Sequence, residues 1–263
     1  MDYRIAGKTA VVAASSKGLG RAIALGLARE GCRVVINGRT PGPLEETAHE
    51  IREQTGAEVL SVAGSVADPA DCDLLIAEAA RVMGGVDILV TNTGGPAPGT
   101  FDDFDDDAWR EAIDLTLLNV VRLIRAARPH MAKNHWGRVV NLTSVSAREP
   151  IAGLLLSNAL RAAVHGLAKT LSRELAPDGI LVNNVCPGLH RTDRLEHLAE
   201  VRAKDWGCTT DEAFERLAAT IPLKRLGDPS ELANAAVFLC SEAASFVTGQ
   251  SIVVDGGATA GVS

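Results

Sequence analysis

Short β-branched runs recur along this chain, and nearly every one is followed by a longer stretch with helical spacing. "KTAVVAAS" (8–15), "CRVVING" (32–38), "AEVLSVAG" (57–64), "VDILVTNTG" (86–94), "GRVVNLTSVS" (137–146), "GILVNNVCPG" (179–188) and "QSIVVDGG" (250–257) read as strands. Between them lie helical stretches at 18–31, closed by Gly31, and at 43–55, 107–131, 153–175 and 229–241. A further helix follows "AEVLSVAG", with Asp68 as its N-cap and Pro69 at its first position. Strand–helix alternation of this kind requires right-handed crossovers, which produce a doubly wound parallel sheet covered by helices on both faces. No Pro/Ser-rich linker or internal repeat interrupts it, so residues 1–263 read as one α/β domain. In such sheets ligands bind beyond the carboxyl ends of the strands. That rule directs attention to 13–20, 37–39, 64–66, 91–95, 143–150 and 186–192.

Composition narrows the partners. A net charge of −7 argues against nucleic acid or an anionic membrane surface. No apolar run reaches the roughly eighteen residues of a membrane span, and the N-terminus shows no basic leader with a cleavage site. The five cysteines are scattered and never form C-x-x-C, which fits free thiols in a cytoplasmic protein. The histidines show no metal-ligand spacing. "FDDFDDDAW" (101–109) carries five aspartates in nine residues, but it precedes a long helix and lacks the Gly and Glu of a calcium loop. Capping of free helical N–H groups is its expected role.

The first strand runs into "AASSKGLG", where Gly18 and Gly20 open a helix whose N–H groups and dipole suit a pyrophosphate. Ser15, Ser16, Lys17 and Leu19 share that loop. The second strand ends in Asn37, Gly38 and Arg39, with no acid there. A free ribose 2′-hydroxyl calls for a carboxylate at this point, and a 2′-phosphate for a cation. Lys17 and Arg39, on the two loops that meet around such a ribose, therefore indicate NADP(H) over NAD(H).

Taken in order, the motifs resemble those of the short-chain dehydrogenase/reductase family over essentially the whole chain. "AASSKGLG" is similar to T-G-x-x-x-G-x-G, with Ala13 and Ala14 in place of the Thr and first Gly. "TNTGG" resembles N-N-A-G, "VNLTS" places Ser144 at the catalytic serine, and "NNVCPGL" resembles N-x-V-x-P-G. Residues 222–257 are similar to the family's C-terminal signature. The nearest subgroup in feel is the reductases of 3-oxoacyl thioesters. The resemblance implies a Rossmann-type sheet of about seven strands. It places cofactor near Asn92 and Gly94, with Pro187, Gly188, Leu189 and Thr192 around the nicotinamide and Ser65 and Val66 at the adenine. It also implies a substrate lid over 190–220 and a homo-oligomer, tetramer or dimer, formed through the helices at 107–131 and 153–175.

Family chemistry uses Asn, Ser, Tyr and Lys, and here the pattern breaks. Thirteen residues after Ser144 stands Ser157, and four later Arg161. Thr116 holds the Asn position, with Asn119 about 60° further round the helix and read as pointing away. The single tyrosine, Tyr3, precedes the first strand and belongs to no Y-x-x-x-K motif. A tyrosine hydroxyl titrates near pKa ~10 and is tunable by a neighbouring cation. A serine alkanol is a far weaker acid. Arg161 keeps positive charge and five donors but stays protonated. Ser144 with Arg161 is expected to stabilise an alkoxide while water supplies the proton. His190 is a titratable alternative on the loop after Gly188, and Glu149, beside Arg148, is another. The readings are an NADP(H)-dependent oxidoreductase reducing a carbonyl or a related polarised bond of a small molecule, a cofactor-binding sensor or subunit with little redox activity, or a non-redox lyase, isomerase or cyclase.

Overall fold

Residues 9–12 and 33–38 alternate their side chains between two buried layers, and the whole architecture follows from that alternation. Ala10, Val12, Val34 and Ile36 enter one apolar cluster, while Val11, Ala13 and Val35 enter the other. A strand buried on both faces must sit inside a sheet, with helices above and below. The computed structural model describes residues 2–261 and contains that sheet. Its strands are β1 (Thr9–Val12), β2 (Arg33–Gly38), β3 (Val59–Ala63), β4 (Ile88–Thr91), β5 (Gly137–Leu142), β6 (Ile180–Pro187) and β7 (Ser251–Val254). They lie in the order β3-β2-β1-β4-β5-β6-β7, every neighbouring pair parallel.

Helices α1 (Gly18–Arg29) and α2 (Pro41–Thr55) cover one face, and α3 (Pro69–Met83) covers the other. Each start is chemically marked. Asp68 accepts from the amides of Ala70 and Asp71 with Pro69 at the first position. α2 also begins on a proline, two residues before the expected 43, and ends at Gly56, which is left-handed at φ 71°.

The long helix expected over 107–131 runs without a break over 106–133, but it is not α-helical throughout. It consists of α4 (Asp106–Ile113), a π-helical turn at Asp114–Leu118 and α5 (Asn119–Lys133). A π-turn inserts one residue into the helical ladder without an obvious sequence mark, so residue spacing did not reveal it. The aspartate run behaves as capping chemistry requires. Asp105 accepts from the Ala108 amide at 2.9 Å, and Thr100 with Asp103 closes a capping box. Among the described residues no cluster of His, Cys, Asp and Glu could hold a metal.

Helix α6 (Leu155–Glu174) packs with α3 and α5 against the second layer. Helices α7 (Asp193–Trp206) and α8 (Thr210–Ala219) form a hairpin with its own small cluster of Ala199, Ala203 and Ala213. Helix α9 (Pro229–Leu239) returns to lie on α1, where Gly26 allows close approach: a Cβ there would meet Val237 at 3.0 Å. The described cysteines are all free, and no described helix is long and apolar enough to cross a membrane.

Candidate active site

The sheet order reverses between β1 and β4, so their following loops diverge and leave a crevice. The "AASSKGLG" loop forms one wall. Gly18 has φ 59°, and Gly20 sits so close that a Cβ would meet the Ala14 carbonyl oxygen at 2.6 Å and Asn92 Nδ2 at 2.8 Å. Asn92 Nδ2 donates to that same carbonyl at 2.9 Å, joining the β1 and β4 loops. The first turn of α1 has no acidic residue, and Lys17, its N-cap, makes no capping bond. Its amides therefore remain available to an anion. A Cβ on exposed Gly94 would meet nothing, so a ligand can approach the backbone there. These residues fit a dinucleotide phosphate.

Ala14 is a non-glycine residue at φ 45°. Left-handed backbone costs an alanine about 1–2 kcal/mol, partly offset by the smaller unfolded-state entropy it has relative to glycine. Ala14→Gly is expected to raise stability by about 0.5–1 kcal/mol in denaturant unfolding.

Several expected contacts are relocated. Asn37 is 2 % exposed, and its side chain is engaged as a strut rather than free for a ribose. Its Oδ1 accepts from the Ala14 amide at 3.2 Å, and its Nδ2 donates to the carbonyls of Val62 and Gly64. Ser15 is fully buried, donating to the Val12 carbonyl and accepting from the Asn37 amide. The Ser16 carbonyl oxygen accepts from Thr47 Oγ1 at 2.8 Å. Leu19 is half-buried against the first core layer. Lys17 reaches Asp193 at 3.4 Å, at the start of α7, while Arg39 stands exposed. The Ser65 amide donates to Asp71 at 2.7 Å, and Val66 points into the core at 7 % exposure.

On the other wall, Ser144 Oγ accepts from the Ser146 amide at 3.1 Å, and Ser146 Oγ lies 3.0 Å from Ser157 Oγ. Ser144 caps the short turn Val145–Ala147, and Ser157 and Arg161 follow one another on a buried stripe of α6. Arg161 is 7 % exposed. Its Nη1 donates to the carbonyls of Leu142 (3.0 Å) and Thr143 (2.9 Å) at the end of β5. Burial, then repulsion from Arg194, pulls its pKa down to about 10, so it remains a cation at neutral pH. It lines a cavity of about 10 Å³ together with Asn92, Thr93, Thr116 and Asn119. Asn119 thus shares the space with Thr116 and does not point away. Residues three apart are neighbours on a helix surface, and a 60° separation leaves both facing one hollow.

His190 does not join this group. Its ring is 5 % exposed and packed on Gly227, where a Cβ would meet Cδ2 at 2.6 Å. Its Nδ1 lies 3.3 Å from the Gly188 carbonyl, and burial lowers its pKa. A neutral ring walled in by backbone has no route to a substrate proton, which corrects its reading as an acid. Glu149 Oε2 accepts from the Ala260 amide at 3.1 Å, outside the serine group. Gly188 is pressed against Asp255, and Pro187 pairs with Val254 at the end of β6. Leu189 lends its carbonyl to the Gly227 amide. Thr192 Oγ1 caps α7 by accepting from the Leu195 amide, and its methyl faces Gly18.

Motif counting missed Arg194, while His165, four residues after Arg161 on the same helix face, reads from the sequence as a packed residue. Arg194 Nη1 donates to the Gly94 carbonyl at 2.5 Å, tying α7 to the β4 loop. His165 Nε2 lies 3.0 Å from Thr143 Oγ1 and 3.5 Å from Cys186 Sγ. Burial first, then Arg148 and Arg161, push its pKa from 6.5 to about 4. A histidine depressed in the folded state stabilises the fold above its unfolded pKa and loses that contribution as pH falls. Stability is therefore expected to decline between pH 6.5 and about 4. His165→Leu should flatten that part of the curve, read by Tm against pH.

A crevice at the switch point of a seven-stranded parallel sheet, with glycines at a helix start, defines a dinucleotide-binding α/β protein. A protein-family model described as Enoyl-(Acyl carrier protein) reductase matches residues 13–259. "Dehydrogenase/reductase SDR family member 4" of Oryctolagus cuniculus is 36% identical over 97% of this chain and 94% of its own length. "3-oxoacyl-[acyl-carrier-protein] reductase FabG" of Aquifex aeolicus is 33% identical over 98% of this chain and 99% of its own. L-sorbose reductase from Gluconobacter frateurii, solved with NADPH and L-sorbose, superimposes with a TM-score of 0.96 at 36% identity, covering 100% of both chains. The chain belongs to the short-chain dehydrogenase/reductase family of oxidoreductases.

Proposed function

We propose that this protein is an NADP(H)-dependent reductase of a small carbonyl compound whose site works without a phenolic acid. One observation carries the reading: a buried, permanently charged Arg161 is fixed by two backbone carbonyls at the end of β5, on the same helix as Ser157. The NADPH of the sorbose reductase complex, in a chain so similar over its full length, supports the same cofactor here. Lys17, Arg39 and the α1 amides would hold its phosphates, with Asn92, Gly94 and Thr192 along the cleft.

Bound NADPH would supply a hydride to the carbonyl carbon. The chain's own residues have a different task. Ser144 donates a hydrogen bond to the carbonyl oxygen, and Arg161 places positive charge where the alkoxide develops. Donors fixed before the reaction need no reorganisation, the usual source of such stabilisation. Ser157 donates weakly at best, because its hydroxyl is already within hydrogen-bond distance of Ser146. Water delivers the proton. The α7–α8 hairpin, residues 190–220, acts as the lid, and helices α5 and α6 make a homo-oligomeric contact.

The test follows NADPH absorbance across a panel of ketones and aldehydes, with Ser144→Ala and Arg161→Ala as controls. Turnover lost in both controls supports the reading. A second reading is favoured by the absence of a titratable group at the serines: a cofactor-binding protein, or a non-redox lyase, isomerase or cyclase. Tight NADPH binding without turnover on any carbonyl would select it.

A further inference from the structure

The cavity beneath Arg161 contains an imbalance that the proposed reduction does not use. Three of its polar atoms are buried without any hydrogen-bond partner: Thr93 Oγ1, Thr116 Oγ1 and Asn119 Nδ2. Thr116 is 2 % exposed and Asn119 wholly buried. Asn119 Oδ1 accepts from the Val120 amide at 2.6 Å, so the amide's remaining group, Nδ2, is a pure donor. Arg161 supplies donors only. The acceptors nearby are occupied: Asn141 Oδ1 receives Thr91 Oγ1, and the Leu142 and Thr143 carbonyls receive Arg161 Nη1. No acidic side chain lines the space.

Buried donors left unpaired and a buried cation left unbalanced are both costly. Arg194 adds further positive charge, and the Cys186 thiol is held protonated by burial, so it offers no counter-charge. A water would accept two hydrogen bonds at most and leave the charge uncompensated. The hollow of about 10 Å³ has room for one small occupant.

We infer that this cavity is a binding site for a single monatomic anion of the halide class, held by Arg161, Thr93, Thr116 and Asn119. The ion accepts from every orphaned donor at once and balances the guanidinium. It ties the β4 loop (Thr93) to the π-turn (Thr116), α5 (Asn119) and α6 (Arg161). The inference shares Arg161 with the reduction proposed above, but its test needs no cofactor and no turnover.

The probe is chloride titrated against gluconate at constant ionic strength, with unfolding followed by Tm. For a chain of this size, tenfold excess over Kd should raise Tm by about 3 °C and saturate. Crystals of the unmodified protein grown in bromide should show an anomalous peak within hydrogen-bond reach of Arg161 and Asn119. Thr116→Val and Asn119→Leu should each reduce the chloride-dependent shift. A cavity density that bromide does not replace would identify water and overturn the inference. So would an unaltered Tm in chloride, or a shift that survives in both variants. The bromide measurement decides the matter even where a variant fails to fold.

Discussion

The double change Ser157→Tyr with Arg161→Lys is expected to raise kcat for carbonyl reduction by at least about a hundredfold. A positioned general acid contributes about 10²–10⁴ in rate, and the natural serines offer no group that titrates near neutrality. Tyrosine at 157 starts from the first turn of α6, within reach of Ser146 and the β5 end where Arg161 is anchored. Lysine at 161 replaces a guanidinium that stays protonated with an amine whose proton can move. The single change Ser157→Tyr should gain less, because Arg161 stabilises the phenolate without passing protons. Stopped-flow NADPH oxidation separates the outcomes. A double variant no faster than the natural protein would show that hydride transfer was never limited by the proton, or that the scaffold has left reduction behind. Increased NADPH affinity with unchanged kcat would instead place residue 161 on the ribose alone.

The strands, their parallel order and most helix starts are legible in the sequence because they depend on local rules. Ala10, Val11, Val12 and Ala13 alternate between two layers, and Asp68-Pro69 marks a helix start by capping chemistry. The site was legible only where a motif fixes backbone, as at Gly18 and Gly20. Side-chain direction was not. Asn37 sits at the strand end where a ribose contact is expected, yet three backbone groups, in β3 and in the loops after β1 and β3, compete for its amide and win. His190 follows Pro187-Gly188 as a substrate-loop histidine would, but Gly227 leaves a slot that its ring fills. Asn119 lies about 60° round the helix from Thr116 in the π-turn, yet both side chains reach the hollow under Arg161. In each case the deciding partner is more than twenty residues away or lies in an irregular turn, and linear spacing carries no record of it.

Removing both loop cations should reverse the cofactor choice. Lys17→Ala with Arg39→Ala is expected to lower NADPH affinity by roughly a hundredfold while leaving NADH within about threefold, since charged hydrogen bonds to a phosphate are about twice as strong as neutral ones. Arg39 is exposed at the end of β2 and has no acid beside it, so it is free to meet a 2′-phosphate. Lys17 is not equally free, because Asp193 holds it at 3.4 Å. That pair is solvent-exposed on both sides, and such pairs contribute little on their own. A dianionic phosphate should therefore draw Lys17 away and release the start of α7. Asp193→Asn is then expected to tighten NADPH about two- to fivefold, with the larger gain at low salt, where exposed charges are least screened. Fluorescence titration of both cofactors at two ionic strengths checks each step. Equal losses for NADH and NADPH in the double variant would move the cations from the 2′-phosphate to the pyrophosphate. An Asp193→Asn variant with unchanged affinity would show that the lid contact and the phosphate do not compete for Lys17.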